Sequence, residues 1–172
     1  MLKIRKTAES DLIALMPIFD EARATIAALG IDQWQNGYPN REVIQDDINR
    51  AQSYSVCIDG EVCGTFALIE DSEPTYNEIF DGDWLTGNAR EQYFAIHRVA
   101  ISVKCRGKGV STAIIDYCTD AARKAQKVSL RIDTHRGNIV MRKMLEKHGF
   151  KHCGTVYYDS GIIRVAYELV VD

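Results

Sequence analysis

The chain has 172 residues and a formal net charge of −3 at pH 7, and 46% of its residues are hydrophobic. This length predicts one domain, spanning residues 1–172, that can bury a substantial core. The net charge is not basic, as that of a nucleic-acid-binding protein usually is. The N-terminus lacks the apolar run of a signal peptide, and no stretch approaches the length of a membrane span. We therefore expect a cytoplasmic protein without a nucleic-acid or membrane partner.

The first third of the chain predicts a short strand and a long helix. Residues 2–6 alternate apolar and basic side chains, as a strand does. Apolar residues then recur at helical spacing from Leu12 to Leu29, and Gly30 ends this helix. Pro17 lies inside the helix and should kink or split it.

A hairpin is the strongest local signal in the middle of the chain. The dipeptide Asp59-Gly60 favours a tight turn between two apolar runs. In chain order, the predicted segments here are a loop at 31–40, a helix at 41–50, strands at 53–58 and 61–69, and an irregular acidic stretch at 70–91.

The second half predicts alternating strands and helices. Its segments are a strand at 94–103, a glycine turn at 105–111, a helix that begins at Val110, a strand at 128–134, a helix at 138–148, and a hairpin with strands at 150–158 and 162–170. This order indicates a mixed α/β fold with a mainly antiparallel sheet.

The glycine turn Cys105–Ser111 stands between an apolar strand and an amphipathic helix. In such a turn, backbone N–H groups and the helix dipole can hold a phosphate, and Arg106 and Lys108 add positive charge. It is not a P-loop, since G-x-x-x-x-G-K-[ST] is absent, and Thr112 stands where a dinucleotide fingerprint needs its third glycine. An ordinary surface turn is the alternative.

The run Arg106-x-x-Gly109-x-Ser111 resembles the acyl-CoA pyrophosphate signature of the GNAT acetyltransferase superfamily. Residues 138–150 resemble that family's second signature, in which an Asn opens a helix that ends in Gly-Phe. The resemblance covers roughly residues 93–158. It implies an α/β fold with a central, mostly antiparallel mixed sheet of about six to seven strands and about four flanking helices. It also implies an N-acetyltransferase that uses acetyl-CoA as cosubstrate and no metal, by direct attack of a primary amine in a ternary complex.

The resemblance also assigns the cofactor-binding residues. The backbone of Val99, Ala100 and Ile101 would pair with the pantetheine arm, and Asn138 would hydrogen-bond the pantetheine amide. The pyrophosphate would lie on the turn formed by Arg106, Gly107, Lys108, Gly109, Val110, Ser111 and Thr112. From its position alone, Asn138 is equally a helix N-cap, and the two roles are compatible.

Two positions match residues that serve as the base for the amine in some members of the family. Asp133 lies five residues before Asn138 and shares a strand face with Arg131, with which it could pair instead. His97 lies nine residues before Arg106, and an imidazole titrates near neutrality. A hydrogen-bonded core histidine is the alternative for His97, and a water chain without a single base also remains open.

The acid for the leaving thiolate is the clearest departure from the family pattern. The usual tyrosine, seven residues after the motif Asn, is replaced by Leu145, which cannot donate a proton. Tyr157 and Tyr158 on the next strand are candidates, although aromatic strand residues usually pack. We select Tyr158. A nucleophilic role for Cys153 is less favoured than that of a buried thiol.

The acceptor amine is not identified by the sequence. Trp34 and Tyr38 lie in the loop that shapes the acceptor site in similar folds, or they cap the core. We also hypothesise that the acidic stretch borders the acceptor entrance and favours cationic amines, the alternative being a solvated loop. Its acidic residues are Glu70, Asp71, Glu73, Glu78, Asp81, Asp83 and Glu91, against the single base Arg90. A small-molecule amine and a protein amine both remain open as the acceptor, and so does a homodimer.

The five cysteines are scattered and lack C-x-x-C spacing, so we interpret them as reduced thiols rather than a disulfide framework or zinc ligands. They are Cys57, Cys63, Cys105, Cys118 and Cys153.

Two other functions compete with that of an acetyltransferase. A non-catalytic acyl-CoA-binding module or sensor is suggested by Leu145, and a nucleotide-binding α/β protein is disfavoured.

Overall fold

The computed structural model describes residues 1–70, 73–87 and 92–172. Within these ranges the helices and strands are, in chain order, β1 (Leu2–Lys6), α1 (Leu12–Ala27), α2 (Arg41–Asn49), β2 (Ser53–Ile58), β3 (Glu61–Ile69), β4 (Tyr93–Ile101), α3 (Val110–Lys124), β5 (Ser129–Thr134), α4 (Ile139–Lys147), β6 (Lys151–Tyr157) and β7 (Ile163–Val170). Short 3-10 turns span Glu9–Asp11, Pro74–Asn77 and Val103–Cys105.

The strands pair in the order β1-β2-β3-β4-β5-β7-β6. The pairs β1/β2, β2/β3, β5/β7 and β6/β7 are antiparallel, whereas β4 and β5 are parallel. In the described part of the chain, seven strands in a mostly antiparallel mixed sheet and four α-helices confirm the expected fold class.

The chain forms two compact units. Unit 1 comprises residues 1–68 and 98–114, and unit 2 comprises residues 69–97 and 115–172. Strand β4 therefore contributes its first five residues to unit 2 and its remainder to unit 1. The single domain expected for residues 1–172 stays a prediction.

Each unit has its own apolar core. In unit 1, apolar residues at helical spacing on α1 face the buried side of α2, and the core consists of Leu12, Leu15, Ile18, Phe19, Ile44 and Ala100. The core of unit 2 contains Tyr76, Trp84, Tyr93, Ala95, Cys153, Val156 and Ala166. Within the described ranges, no helix combines the length and the apolar character that crossing a membrane requires.

Two local predictions have opposite outcomes. The hairpin strands β2 and β3 have their expected bounds, because Asp59 and Gly60 adopt the positive φ angles, 51° and 91°, that a tight hairpin turn requires. The expected split of α1 is wrong, since the helix continues through Pro17. Pro17 cannot donate to the carbonyl of Ile13, but Ile13 is 84% exposed, so water can replace that hydrogen bond.

The interpretation of all five cysteines as reduced thiols is also wrong. Cys63 on β3 and Cys105 form a disulfide within unit 1, with 5.9 Å between their Cα atoms. The Ser102 N–H donates to the Cys63 carbonyl at 2.8 Å, which places the end of β4 and the turn after it beside β3. The two cysteines are 42 residues apart in the sequence, so no rule based on cysteine spacing could have predicted that they are close in the fold. The other cysteines are free and buried.

Candidate functional site

The glycine turn that precedes α3 has the form expected of an anion cradle. Gly107 and Gly109 have φ angles of 76° and 78°, and a Cβ atom added at either would meet nothing within 4 Å. The turn therefore leaves open space above its backbone, and only glycine adopts both conformations without strain. Helix α3 begins at Val110, so the amides of its first turn lack carbonyls one turn earlier and point out of the helix end.

The basic side chains and amides of this turn differ in what they already contact. Arg106 is exposed and donates to the Thr25 hydroxyl at 2.7 Å. The Lys108 N–H donates to the Cys105 carbonyl at 3.3 Å, so that amide stabilises the turn itself. The turn thus has the open space and the positive charge that the pyrophosphate of acetyl-CoA would require. Val99, Ala100 and Ile101 precede it on β4 in the same unit.

Asn138 and Leu145 belong to unit 2. Asn138 is 6% exposed and its Oδ1 accepts from the Met141 N–H at 3.2 Å, so the predicted N-cap of α4 is confirmed. Leu145 has no exposed surface and lies inside the unit. The position where the family usually has its tyrosine is therefore filled by a buried apolar side chain.

The two aromatic residues predicted for the acceptor loop lie next to each other in unit 1. Trp34 and Tyr38 have ring centroids 6.2 Å apart, and Trp34 also contacts Phe19 of the core at 6.1 Å. Trp34 is half-buried against the core, whereas Tyr38 is 36% exposed. Core packing is thus shown for Trp34, and Tyr38 is the more exposed residue of the pair.

Arg98, in the irregular middle of β4, connects this strand to α2 by an ion pair and to the loop by a hydrogen bond. Arg98 has a φ of +52°, which interrupts the regular strand immediately after His97. Its guanidinium donates twice to the Asp47 carboxylate, at 2.5 and 2.7 Å, and once to the Tyr38 hydroxyl, at 2.9 Å. Burial opposes the charge of Arg98, but Tyr38 and Asp47 raise its pKa overall. The conformation of β4 at this point is therefore fixed by side-chain contacts.

Unit 2 contains a connected group of polar side chains that we call the polar cluster. Its members are Glu73, Tyr76, His97, Asp133 and Tyr158. The His97 Nε2 atom lies 3.0 Å from the Glu73 carboxylate, and the Tyr76 ring stacks on the imidazole with 5.9 Å between centroids. The Tyr76 and Tyr158 hydroxyls both donate to Oδ2 of Asp133, each at 2.7 Å.

The three catalytic candidates from the sequence, His97, Asp133 and Tyr158, thus belong to one network in unit 2. The alternative in which Asp133 pairs with Arg131 is wrong. Arg131 is 1% exposed and pairs with Glu168 at 3.0 Å, because that carboxylate lies directly opposite on β7. Asp133 instead accepts hydrogen bonds from two phenols. Tyr157, the other tyrosine considered, is 45% exposed and contacts Phe80.

The electrostatics of the polar cluster follow from burial and from its hydrogen bonds. Burial acts to raise the pKa of Glu73, but the contact with His97 and the Thr75 N–H outweigh it and lower that pKa. Burial, together with the negative charge of Asp133, raises the pKa of Tyr76 well above its usual value. Glu73 is therefore an anion and Tyr76 a neutral donor at neutral pH.

Sequence reasoning missed two members of this cluster. Glu73 was noted only as one of several acidic residues, and Tyr76 carried no signal. Glu73 directly precedes Pro74, and an acidic residue before proline is a typical start of a helical turn. This is the one signal in the sequence that could have indicated Glu73.

Burial raises the pKa of the Cys153 thiol, which argues against a nucleophilic role for that residue.

The acidic stretch is only partly described. Glu70, Glu78, Asp81 and Asp83 are exposed, whereas Glu73 belongs to the polar cluster. The predicted members Asp71, Arg90 and Glu91 lie outside the described residues. No group of three or more His, Cys, Asp or Glu side chains in the part of the chain that the structure covers is arranged to hold a metal ion.

Comparisons with known proteins agree with this architecture. Residues 18–150 match the profile of the acetyltransferase (GNAT) family. A crystal structure of a GNAT-family acetyltransferase from Streptococcus agalactiae is 35% identical, with a TM-score of 0.88 over 99% of this chain and 96% of that one. The chain therefore belongs to the GNAT acetyltransferase family.

More distant structures share the fold. The PaiA N-acetyltransferase from Thermoplasma acidophilum, solved in complex with coenzyme A, is 18% identical, with a TM-score of 0.72 over 99% of both chains. A GNAT-family acetyltransferase from Listeria monocytogenes is 15% identical, with a TM-score of 0.72 over 99% of this chain and 95% of that one. A search of curated proteins gives no significant match.

Proposed function

We propose that the protein is an N-acetyltransferase that moves the acetyl group of acetyl-CoA to a primary amine by direct attack in a ternary complex. The observation that carries this proposal is the contact between His97 and Glu73. His97 lies on β4, nine residues before Arg106 of the glycine turn. A histidine beside a carboxylate can accept a proton near neutral pH. Membership of the GNAT family and the open glycine turn support the choice of cosubstrate.

The glycine turn and the adjoining part of β4 are the proposed cofactor-binding segments. The amides of Gly107, Gly109, Val110 and Ser111 would hold the pyrophosphate, because the turn leaves open space above them. The backbone of residues 99–101 would pair with the pantetheine arm as an added strand does. The distant relative from Thermoplasma acidophilum, solved with coenzyme A, supports this use of the fold.

His97, rather than Asp133, is the proposed base. Oδ2 of Asp133 already accepts two phenolic protons, so its chemistry is to orient those phenols. The amine nitrogen would lose its proton to His97 as the N–C bond forms and the C–S bond of the thioester breaks. Tyr158 would give its proton to the departing thiolate, and water would then restore both residues to their starting states.

The test is a thiol-release assay with acetyl-CoA and a panel of primary amines. We expect wild-type protein to release CoA with at least one amine. The His97→Asn variant should lower kcat/KM for that amine about 100-fold, within the usual worth of general-base catalysis, with the KM for acetyl-CoA changed less than about twofold. His152→Gln, an exposed histidine of the same unit, is the matched control and should retain full activity.

A second function, a non-catalytic acyl-CoA-binding module, is favoured by one observation. Leu145 is completely buried where the family usually has a proton donor. Stabilisation by acetyl-CoA in a thermal-shift measurement, with no CoA released by any amine, would establish that function instead. Stabilisation by ATP or NAD but not by CoA would exclude both.

The acceptor proposal is a cationic amine. The exposed carboxylates Glu70, Glu78, Asp81 and Asp83 give the described part of the acidic stretch a negative surface. Polycationic amines should therefore have a lower KM than neutral amines of the same length, and the difference should shrink in 0.5 M salt because screening lengths shorten. Equal KM values for the two kinds of amine would refute this preference.

A further inference from the structure

One short turn holds the His97 ring on two sides. Glu73 and Tyr76 both belong to the 3-10 turn Pro74–Asn77 and its N-cap. Glu73 approaches the ring edge, with 3.0 Å between its Oε2 and Nε2 of His97. Tyr76 covers the ring face, with an interplanar angle of 24°. The orientation of the imidazole is therefore set by a segment that the sequence analysis assigned to an irregular acidic stretch.

Glu73 itself is fixed in place by three contacts other than His97. Its Oε1 accepts from the Thr75 N–H at 3.3 Å, its backbone N–H donates to the Tyr93 hydroxyl at 3.0 Å, and that hydroxyl lies 3.3 Å from its carbonyl. Its side chain is 19% exposed. The carboxylate is therefore held facing His97 rather than swinging in solvent.

The Nε2 atom of His97 is closed to solvent. Nε2 is buried and has no well-aligned hydrogen bond within the described residues, and its nearest polar atom in that part of the chain is Oε2 of Glu73. A proton on Nε2 would face the Glu73 anion across this 3.0 Å contact. A substrate cannot reach Nε2, so Nδ1 is the ring nitrogen that can exchange a proton with it.

The charges around the ring support the same assignment. Among the described residues of unit 2, the partners that face His97 are the Glu73 anion and the neutral Tyr76 phenol, and Asp133 and Tyr158 follow one side chain further through Tyr76. The next residue, Arg98, directs its guanidinium to Asp47 and Tyr38. In the part of the chain that the structure describes, Glu73 is thus the anion in direct contact with the ring.

We propose that Glu73 is the positioning residue of the site. It holds the proton of neutral His97 on Nε2, which leaves the lone pair on Nδ1 for the proton of the attacking amine, and it stabilises the imidazolium that results. Tyr76 fixes the plane of the ring. This inference rests on the proposed function, since it assigns a role in the same reaction.

The test compares Glu73→Gln, Glu73→Asp and Asp116→Asn in kinetics and in nuclear magnetic resonance. Asp116, an exposed carboxylate of α3 in the same unit, is the matched control for loss of one charge. Long-range proton–nitrogen spectra of protein labelled at its four histidines report which ring nitrogen carries the proton. The His97→Asn variant identifies the His97 signals.

We expect the Nε2–H tautomer of His97 in wild-type protein and a mixture of tautomers in Glu73→Gln. The same variant should lose at least tenfold in kcat/KM for the amine, because the lone pair of His97 would no longer be held on Nδ1. Glu73→Asp should recover part of this loss, and Asp116→Asn should match wild type.

The outcomes separate the two proposals. An active wild-type protein whose Glu73→Gln variant keeps its tautomer and its kcat/KM overturns the role of Glu73 alone. A wild-type Nδ1–H tautomer does the same. A wild-type protein that releases no CoA with any amine overturns the proposed function, whatever the tautomer is. Acetyl-CoA stabilisation of each variant verifies that it is folded.

Discussion

Asp133 shows how the partners of a side chain decide its chemistry. Its Oδ2 accepts from Tyr76 and Tyr158, each at 2.7 Å, so the proton of each phenol has a defined position. Tyr76 is completely buried, whereas Tyr158 is half-buried, so Tyr158 is the phenol of the two that a substrate can reach. An acid role that Leu145 cannot perform is available at this residue.

The variant Tyr158→Phe tests that role at the level of a single hydroxyl. We expect kcat to fall about 10- to 100-fold, because the thiolate would leave without a proton, while the KM for acetyl-CoA stays within about twofold. Tyr157→Phe, the exposed neighbour, is the control and should be unchanged. Steady-state kinetics with the best amine of the panel make the measurement, and an unaltered kcat in Tyr158→Phe would assign the acid elsewhere.

Sequence reasoning succeeded at this scale where chemistry is local and failed where a partner is distant in the chain. The N-cap hydrogen bond joins Asn138 to Met141, three residues later, and could be predicted. The partner of Arg131 is Glu168, 37 residues away, and no pattern in the sequence pairs them. The same reason hid the contact between Glu73 and His97.

Among the elements, the glycine turn before α3 combines conformation with open space. Gly107 and Gly109 both have positive φ angles, and both expose their backbone. A substitution there has two separate effects, strain in the turn and obstruction of whatever approaches it. Only the second depends on the proposed cofactor site.

The variant Gly109→Ala separates these effects with Gly60→Ala as its control. Gly60 also has a positive φ, 91°, and also has nothing within 4 Å of an added Cβ. Both variants should lose about 1 kcal/mol of unfolding free energy. Gly109→Ala alone should bind CoA at least tenfold more weakly in isothermal titration calorimetry. Equal CoA affinity in the two variants would place the pyrophosphate away from this turn.

The elements themselves were well predicted wherever turn chemistry marks their ends. Strands β2 and β3 were correct to the residue, because Asp59-Gly60 marks the turn between them. Strand β4 was expected to reach Val103 but ends at Ile101, since a 3-10 turn follows at Val103–Cys105. An apolar sequence alone does not distinguish the last residues of a strand from a turn that follows it.

At the scale of the whole chain, the most buried charges belong to unit 2. Glu168 has no exposed surface and accepts from Ser129, Thr86 and Arg131. Burial acts to raise its pKa, but these contacts outweigh it and lower that pKa. A lowered pKa means that the folded state prefers the carboxylate more than the unfolded state does, so Glu168 stabilises the fold at neutral pH.

Folding stability should therefore depend on pH in a defined direction. The contribution of Glu168 is fully present above the pKa of an unfolded glutamate, about 4.3, and is lost as pH falls through its lower folded value. Glu168→Gln should lose about 3–5 kcal/mol at pH 7, because Arg131 is left buried without its anion, and its stability should vary less than that of wild type between pH 5 and pH 2. Urea unfolding at several pH values measures both effects.

The control for this prediction is Glu61→Gln, an exposed carboxylate on β3, which should follow the wild-type curve within about 0.5 kcal/mol. Parallel pH curves for wild type and Glu168→Gln would mean that Glu168 is not responsible for the loss of stability in acid.

The fold class was predictable at this scale from the order of elements and from the two signatures. The division of β4 between two units was not, because it reflects contacts rather than residue types.

The state of the five cysteines has a practical consequence for the assays. Cys57, Cys118 and Cys153 are buried, and Cys63 is joined to Cys105, so native protein should contribute little colour to a thiol reagent while released CoA reacts freely. The same reagent, applied after denaturation with and without prior reduction, counts the two thiols that the Cys63–Cys105 bond conceals. One reagent therefore reports any CoA released by the folded protein and the oxidation state of the segment beside the glycine turn.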